Sequence, residues 1–243
     1  MGTFKIKADN FEWIGGVKDD PQDRCLHGHV TVQFGDTVLE DIGTVSATAL
    51  YLLKTLTEDK IVTRHDIQMI PCCGHFLIAN RDLTEVQISG CDNGTDWTTI
   101  HEGNSVRFIL ASGQEEVVSL REYQYEVLAF AKSVKRFYDS CTPKEIPTDE
   151  FERNGYTAFW NEWKRRYHDG LMLLSLETGR EMELSHDGLH YFISHKNGEW
   201  SLYCEETNQM QLFQGWKALY DNARLGDRLL RHEISIVEFN AIL

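Results

Sequence analysis

The pattern of apolar and polar positions is sharpest in HVTVQF (29–34). Val30, Val32 and Phe34 fall on one face, and His29, Thr31 and Gln33 on the other. This period of two, with its β-branched bias, predicts a strand. Gly35-Asp36 closes it, and a short strand follows in TVLED (37–41). Residues 3–14, with Phe4, Ile6, Phe11, Trp13 and Ile14, predict a weaker strand. From Ser46 the period changes. Ala49, Leu50, Leu53 and Leu56 share one stripe, which predicts a helix to about Asp59. Three apolar-rich segments come next: IQMIP (67–71), GHFLIAN (74–80) and TEVQISG (84–90). CDNGTDWTT (91–99) reads as a loop around Asn93-Gly94. SVRFILA (105–111) and EEVVSL (115–120) flank Ser112-Gly113-Gln114 as a hairpin.

Ser119-Leu120-Arg121-Glu122 is a capping box, which predicts that the Ser119 hydroxyl accepts the N3 amide hydrogen and that the Glu122 side chain reaches back. Tyr123, Val127, Phe130, Val134 and Phe137 then follow the helical repeat, and Pro143 marks the end. CTPKEIPTDE (141–150) holds two of the four prolines and reads as a linker. A second helix is expected from Thr148 or Asp149 to about residue 168. It carries Phe151, Tyr156, Phe159, Trp160, Trp163 and Tyr167, more aromatics than one core stripe needs. Such a surplus glues two domains together or anchors a partner. From Leu171 the texture becomes strand-like. LMLLSL, EMELSHD, LHYFISH and EWSLYCEE read as a meander with turns at Glu177-Thr178-Gly179 and Lys196-Asn197-Gly198. A short strand QMQLF, a short helix GWKALYDN and a last apolar segment ISIVEFNAIL complete the chain. The reading is an α+β protein of two lobes. Residues 1–140 form a sheet packed with two helices, 141–170 the linker and aromatic helix, and 171–243 a small β-meander with a short helix.

Charge narrows the function classes. The 24 Lys and Arg face 38 Asp and Glu, a net charge of −14. Phosphate neutralisation needs the opposite sign, so no nucleic-acid partner is expected. An acidic chain favours a basic protein partner. Lys164-Arg165-Arg166 is the one dense basic cluster and reads as a solvated helix face. No run approaches the ~18–20 apolar residues of a membrane span, and none at the start has signal-peptide length. A cytoplasmic protein without membrane contact is expected. The six cysteines are then expected to be free thiols, with Cys72 and Cys73 on opposite faces of a strand.

Two segments could carry chemistry. In RCLHGHV (24–30), Cys25, His27 and His29 would share a strand face. Cys72-Cys73-Gly74-His75 lies in a second expected strand. Side by side, these residues would offer thiolates and imidazoles, a donor set that suits zinc. Neither segment has the spacing of a zinc signature, such as C-x2-C or H-E-x-x-H. The alternative is a strand with surface histidines and small buried thiols. The loop at 90–97 lacks the acidic order of a calcium loop. There is no phosphate-binding glycine loop and no G-x-S-x-G elbow. No catalytic residue and no cofactor are therefore expected, with zinc at Cys25, His27, His29, Cys72, Cys73 and His75 as the alternative. Trp97, on a polar loop, with Trp160 and Trp163 on the aromatic helix, are the candidate partner anchors.

The join YTAFWNEWKRR and the tail LFQGWKALYDNARLGDRLL resemble small cytosolic bacterial proteins of uncharacterised families. More loosely, the tail resembles the immunity proteins that neutralise toxins of neighbouring cells. That resemblance implies an acidic α+β domain that binds a protein and does no chemistry, and it carries over no site residue. The function expected is therefore non-catalytic protein binding, of an immunity or adaptor type. The alternative is a metal-dependent enzyme or zinc-binding protein.

Overall fold

In the computed structural model of this protein, residues 2–14, 16–17, 19–63, 68–74 and 76–243 are described. The chain starts with an antiparallel meander of β1 (Phe4–Glu12), β2 (His27–Phe34) and β3 (Thr37–Thr44). The alternation of β2 is realised: Val30, Val32 and Phe34 are buried while His27, His29, Thr31 and Gln33 are half-buried on the other face. Helix α1 (Val45–Lys54) follows directly. Next come three short strands, β4 (Ile70–Pro71), β5 (Phe76–Ala79) and β6 (Val86–Ser89). Strand β7 (Gly94–Thr95) pairs with β4, and β5 pairs with β6 as an isolated hairpin. Then β8 (Trp97–Glu102), β9 (Ser105–Leu110) and β10 (Glu115–Ser119) form a second meander. Helix α2 (Leu120–Ser140) opens with the predicted cap, the Glu122 amide donating to Ser119 Oγ at 3.1 Å.

The protein has both helices and strands, in separate small sheets, and is α+β. It divides into two units, Met1–Trp163 and Lys164–Leu243. The core of the first is an aromatic cluster. Phe4 lies 5.5 Å from Phe34 and 5.1 Å from Phe108, and Phe108 lies 5.2 Å from Tyr123. Each ring buried contributes roughly 1.5–3 kcal/mol, and each favourable ring pair adds about 0.5–1.5 kcal/mol. Trp97 belongs to this cluster, 5.3 Å from Phe34 and fully buried. The stretch 91–99 is thus not all loop. Two of its strands, β7 and the start of β8, carry Trp97 into the core. The segment at 141–149 is tied back to the first unit. Glu145 N–H donates to the Pro21 carbonyl, Thr142 to Asp19, and the Lys144 ammonium sits 3.2 Å over the Trp13 ring.

Helix α3 runs unbroken from Glu150 to Glu177. LMLLSL is therefore helical and not the first strand of the meander. Met172 and Leu176, four apart, are buried on one stripe. A short apolar run fits a buried strand or a buried helix equally; Gly170, just before it, is carried within the helix, and Gly179, at φ +72°, ends it. In the second unit, β11 (Met182–His186), β12 (Leu189–Lys196), β13 (Glu199–Cys204) and β14 (Gln209–Gln214) form the meander. After α4 (Trp216–Asn222), β15 (Arg224–Leu225), β16 (Arg228–Leu229) and α5 (Leu230–Glu233), strand β17 (Glu238–Ile242) returns to pair with β11. The sheet order is β14-β13-β12-β11-β17. Met172 and Leu176 pack with Met182, Leu184, Ile193, Trp200 and Leu202. Arg166 is 9% exposed, so the basic cluster is not a fully solvated face. Among the described residues, no helix is long and apolar enough to cross a membrane.

Within the first unit, β5 crosses α3 at Gly155. A Cβ there would overlap the Leu77 carbonyl oxygen and stand 2.8 Å from Leu77 Cβ. Alanine would gain about 1 kcal/mol of helix propensity. Overpacking against backbone costs about 1–3 kcal/mol, and backbone cannot rotate away. With the overlap on backbone the cost lies in the upper part of that range, so Gly155→Ala is expected to lose roughly 1–2 kcal/mol net, read as a lower urea midpoint at unchanged slope. An unchanged or higher midpoint would mean that the crossing is loose.

Candidate functional site

The segment RCLHGHV enters from the acidic turn before it. Asp23 accepts the amide hydrogen of Cys25 at 2.8 Å. The His27 ring is spanned by protein: Nδ1 donates to the Cys25 carbonyl at 2.8 Å, and Nε2 accepts from the Thr44 hydroxyl at 3.3 Å. With both nitrogens engaged, His27 has no lone pair for a metal. His29 lies between carboxylates, 3.2 Å from Asp9 and 4.0 Å from Glu40. The Cys25 thiol turns away from both and donates to the Gly74 carbonyl at 3.1 Å. Burial, reinforced by Asp23, pushes this thiol up to about 12. It is protonated at neutral pH and so a poor nucleophile. The zinc set expected from Cys25, His27 and His29 is therefore not assembled. His75 lies outside the described residues.

Cys72 and Cys73 do come together with a third sulfur. A bend at Cys72, immediately after β4, breaks the alternation that would send the two thiols to opposite faces. Cys72 is disulfide-bonded to Cys91, where free thiols were expected. Cys73 Sγ lies 3.1 Å from Cys91 Sγ and accepts the Cys91 amide hydrogen at 3.1 Å. The spacing of Cys91 from Cys72, a separation of 19, matches no metal signature, so the sequence does not join it to the candidate set. Cys25, Cys73, Cys141 and Cys204 are free.

The tryptophans expected as anchors differ in exposure. Trp97 and Trp163 are buried. Trp160 is half-buried, its ring 4.7 Å from Tyr138 with the Lys135 ammonium 4.9 Å from its centroid. The six-aromatic run is thus mostly packed. Phe151, at its start, is the exception, 51% exposed.

Phe151 faces an open groove of about 180 Å³. Its walls are Phe76, Leu77 and Gly74 from the β5 side, Arg24 and Cys25, and Asp149, Phe151 and Glu152 at the start of α3. Phe76 is 59% exposed because β5, paired with β6, alternates Phe76 and Ile78 outward and Leu77 inward. Asp149 caps α3, accepting the Glu152 amide hydrogen at 3.0 Å. Glu152 pairs with Arg24 at 3.1 Å. Asp149, Glu150 and Glu152 sit where the helix dipole favours negative charge. Arg24, the cation among the lining residues, is already paired. A second, smaller space of about 10 Å³, lined also by Tyr156 and Phe159, shares Arg24, Cys25, Gly74 and Leu77 with the groove and has room for about one water. The site therefore offers apolar walls, an acidic rim and a protonated thiol.

No protein-family model, no curated protein and no solved structure matches this chain.

In the second unit, His190, Glu205 and Glu206 bring potential donor atoms close together, and all three residues are exposed. His190 Nδ1 is 2.6 Å from Glu206, which also accepts the His190 amide hydrogen at 2.8 Å. The hydrogen bond to Glu206 holds the His190 imidazole above its ordinary range, and the His190 donors bring Glu206 down to about 2. Because folding tightens the imidazole's proton, the stability from this side is complete below the ordinary histidine value. It fades as pH rises through the raised one. The carboxylate works the other way: its contribution is present above the ordinary glutamate range and is lost as pH falls toward about 2. An NMR titration is expected to place the His190 midpoint above that of an unstructured histidine, and Glu206→Gln is expected to return it. A midpoint that ignores the substitution would refute the pairing.

The two N-terminal histidines should separate in stability. His29→Ala is expected to cost about 0.5 kcal/mol or less, as at other surface positions. His27→Ala strands the Cys25 carbonyl and the Thr44 hydroxyl and should cost about 1–3 kcal/mol. Urea unfolding of both variants checks this. Equal effects would mean that the two rings are equivalent.

Proposed function

We propose that this protein is a non-catalytic binding protein, and that a basic segment of a protein partner docks in the groove between Phe76 and Phe151. The carrying observation is the pair of phenylalanines, each more than half exposed, on either side of a groove whose rim bears Asp149 and Glu152. Exposed aromatic pairs over a concave floor are what hot-spot anchoring needs. An acidic rim suits Lys or Arg beside an apolar side chain, and the net charge of −14 would steer such a partner inward. The one thiol in the groove is held protonated, which favours recognition over nucleophilic chemistry. An immunity or adaptor role with a basic protein partner is the narrower form of this reading.

Selection of a random peptide display library on the intact protein is expected to enrich sequences that place Lys or Arg next to an aromatic or aliphatic residue. Affinity for the enriched peptides should fall at least about tenfold in Phe76→Ala/Phe151→Ala, a loss of about 1.4 kcal/mol. It should also fall as salt is raised. Enriched peptides that bind the double variant as well as the parent would refute the groove.

A further inference from the structure

The convergence of Cys72, Cys73 and Cys91 is independent of the groove's occupant. Two loops make it, and glycine lets them meet. At Gly90 a Cβ would overlap the Cys73 carbonyl oxygen and stand 3.3 Å from Cys73 Sγ. Gly94, at φ +140°, abuts the Ile70 carbonyl and would place a Cβ 3.2 Å from Cys72 N. Gly43 approaches from β3, where a Cβ would stand 2.5 Å from the Pro71 carbonyl oxygen. The loops are then fastened: Cys72 N–H donates to the Asn93 carbonyl at 3.1 Å, and β4 pairs with β7 through Ile70–Thr95 and Pro71–Gly94. All three sulfurs lie within 4.8 Å of one another.

A disulfide uses two of these sulfurs and leaves Cys73 with no part in it. The Cys72 and Cys91 Cα atoms stand 7.0 Å apart, just beyond the roughly 4.4–6.8 Å that disulfides usually span. A thiophilic cation uses all three sulfurs, through bonds of about 2.3 Å for zinc. The Cys91 amide that donates to Cys73 Sγ is the kind of outer partner that orients a ligating thiolate. We propose that, in the reduced chain, Cys72, Cys73 and Cys91 together bind one thiophilic divalent cation of the zinc class, with water in the fourth position. The Cys72–Cys91 disulfide and the cation exclude each other. A thiol or phosphine reductant supplies two electrons, and two protons join the separated sulfurs. On binding, three S–H bonds break, three metal–sulfur bonds form, and three protons leave to solvent. Cys25 is not among the three converging sulfurs, and its thiol donates to the Gly74 carbonyl. The site would fasten the foot of the β5–β6 hairpin, since Cys73 and Cys91 flank it.

The test is a cobalt titration of the phosphine-reduced full chain, purified without a metal-affinity tag. One equivalent of Co²⁺ is expected to give the intense visible bands of tetrahedral coordination and a near-ultraviolet sulfur-to-metal band. One equivalent of Zn²⁺ should bleach both and raise the melting temperature. Cys73→Ser and Cys91→Ser should each abolish the tetrahedral spectrum, and Cys25→Ser should keep it. Far-UV circular dichroism checks that each variant is folded, and the parent titration decides the matter without them. A folded, reduced parent that binds neither ion overturns the site. So does a tetrahedral spectrum that survives in Cys73→Ser, because the third sulfur would then be no ligand.

Discussion

A buried carboxylate fixes the part of this molecule on which the candidate site rests. Glu162 is 1% exposed, yet it accepts the Val86 amide hydrogen at 2.9 Å and pairs with the Lys54 ammonium at 3.2 Å. Lys54 in turn donates to the Val86 carbonyl at 3.1 Å. One ion pair thereby satisfies both polar groups of a single strand residue. Such a pair adds little net stability, because desolvation offsets attraction, but losing one partner leaves a buried charge at a cost of about 3–5 kcal/mol. Its effect is to set position. It ties α1, α3 and the β5–β6 hairpin to one geometry.

That geometry matters because a lone two-stranded hairpin is marginal in water. Among the described residues β5–β6 joins no larger sheet, and it is held at three places instead. Glu162 and Lys54 hold Val86, Gly155 admits the Leu77 backbone against α3, and the sulfur cluster closes the foot. These anchors leave Phe76 and Ile78 facing solvent while Leu77 faces the helix. The exposure of Phe76 is thus a product of backbone constraints and not of a missing partner strand. Phe151 arises from a different cause, since it follows the Asp149 cap before the packed aromatic stripe of α3 begins.

The local patterns that could be read from sequence were those with a single physical solution. Period-two alternation at β2, the Ser119 hydroxyl cap of α2 and the Asn197-Gly198 turn all appear as expected, and both turn residues adopt positive φ. Ambiguity entered where one pattern had two solutions. LMLLSL fits a strand or a helix, and the stripe of Met172 and Leu176 shows as helical only once the core is assembled. Trp97 sits among polar residues in the sequence, but a strand start carries it into the aromatic core. Adjacent cysteines oppose each other on a strand and converge across a bend, which local composition does not reveal. The candidate site was legible only in its parts. Its walls come from residues 24–25, 74–77 and 149–152, and no short-range pattern links segments so far apart.

The strand order of the second unit constrains how the chain is made. β11 lies between β12, its immediate neighbour in sequence, and β17, more than fifty residues later, with Met182 opposite Ile242. During synthesis the ribosome delivers the hairpins of β11 to β14 first, and they can pair at once through local contacts. One side of β11 then stays without a partner until residue 242 has emerged. An unpaired edge next to a nascent apolar face is a template for wrong pairing between chains. The interval between residues 186 and 242 is therefore the vulnerable window of biogenesis, and slower elongation there would prolong it.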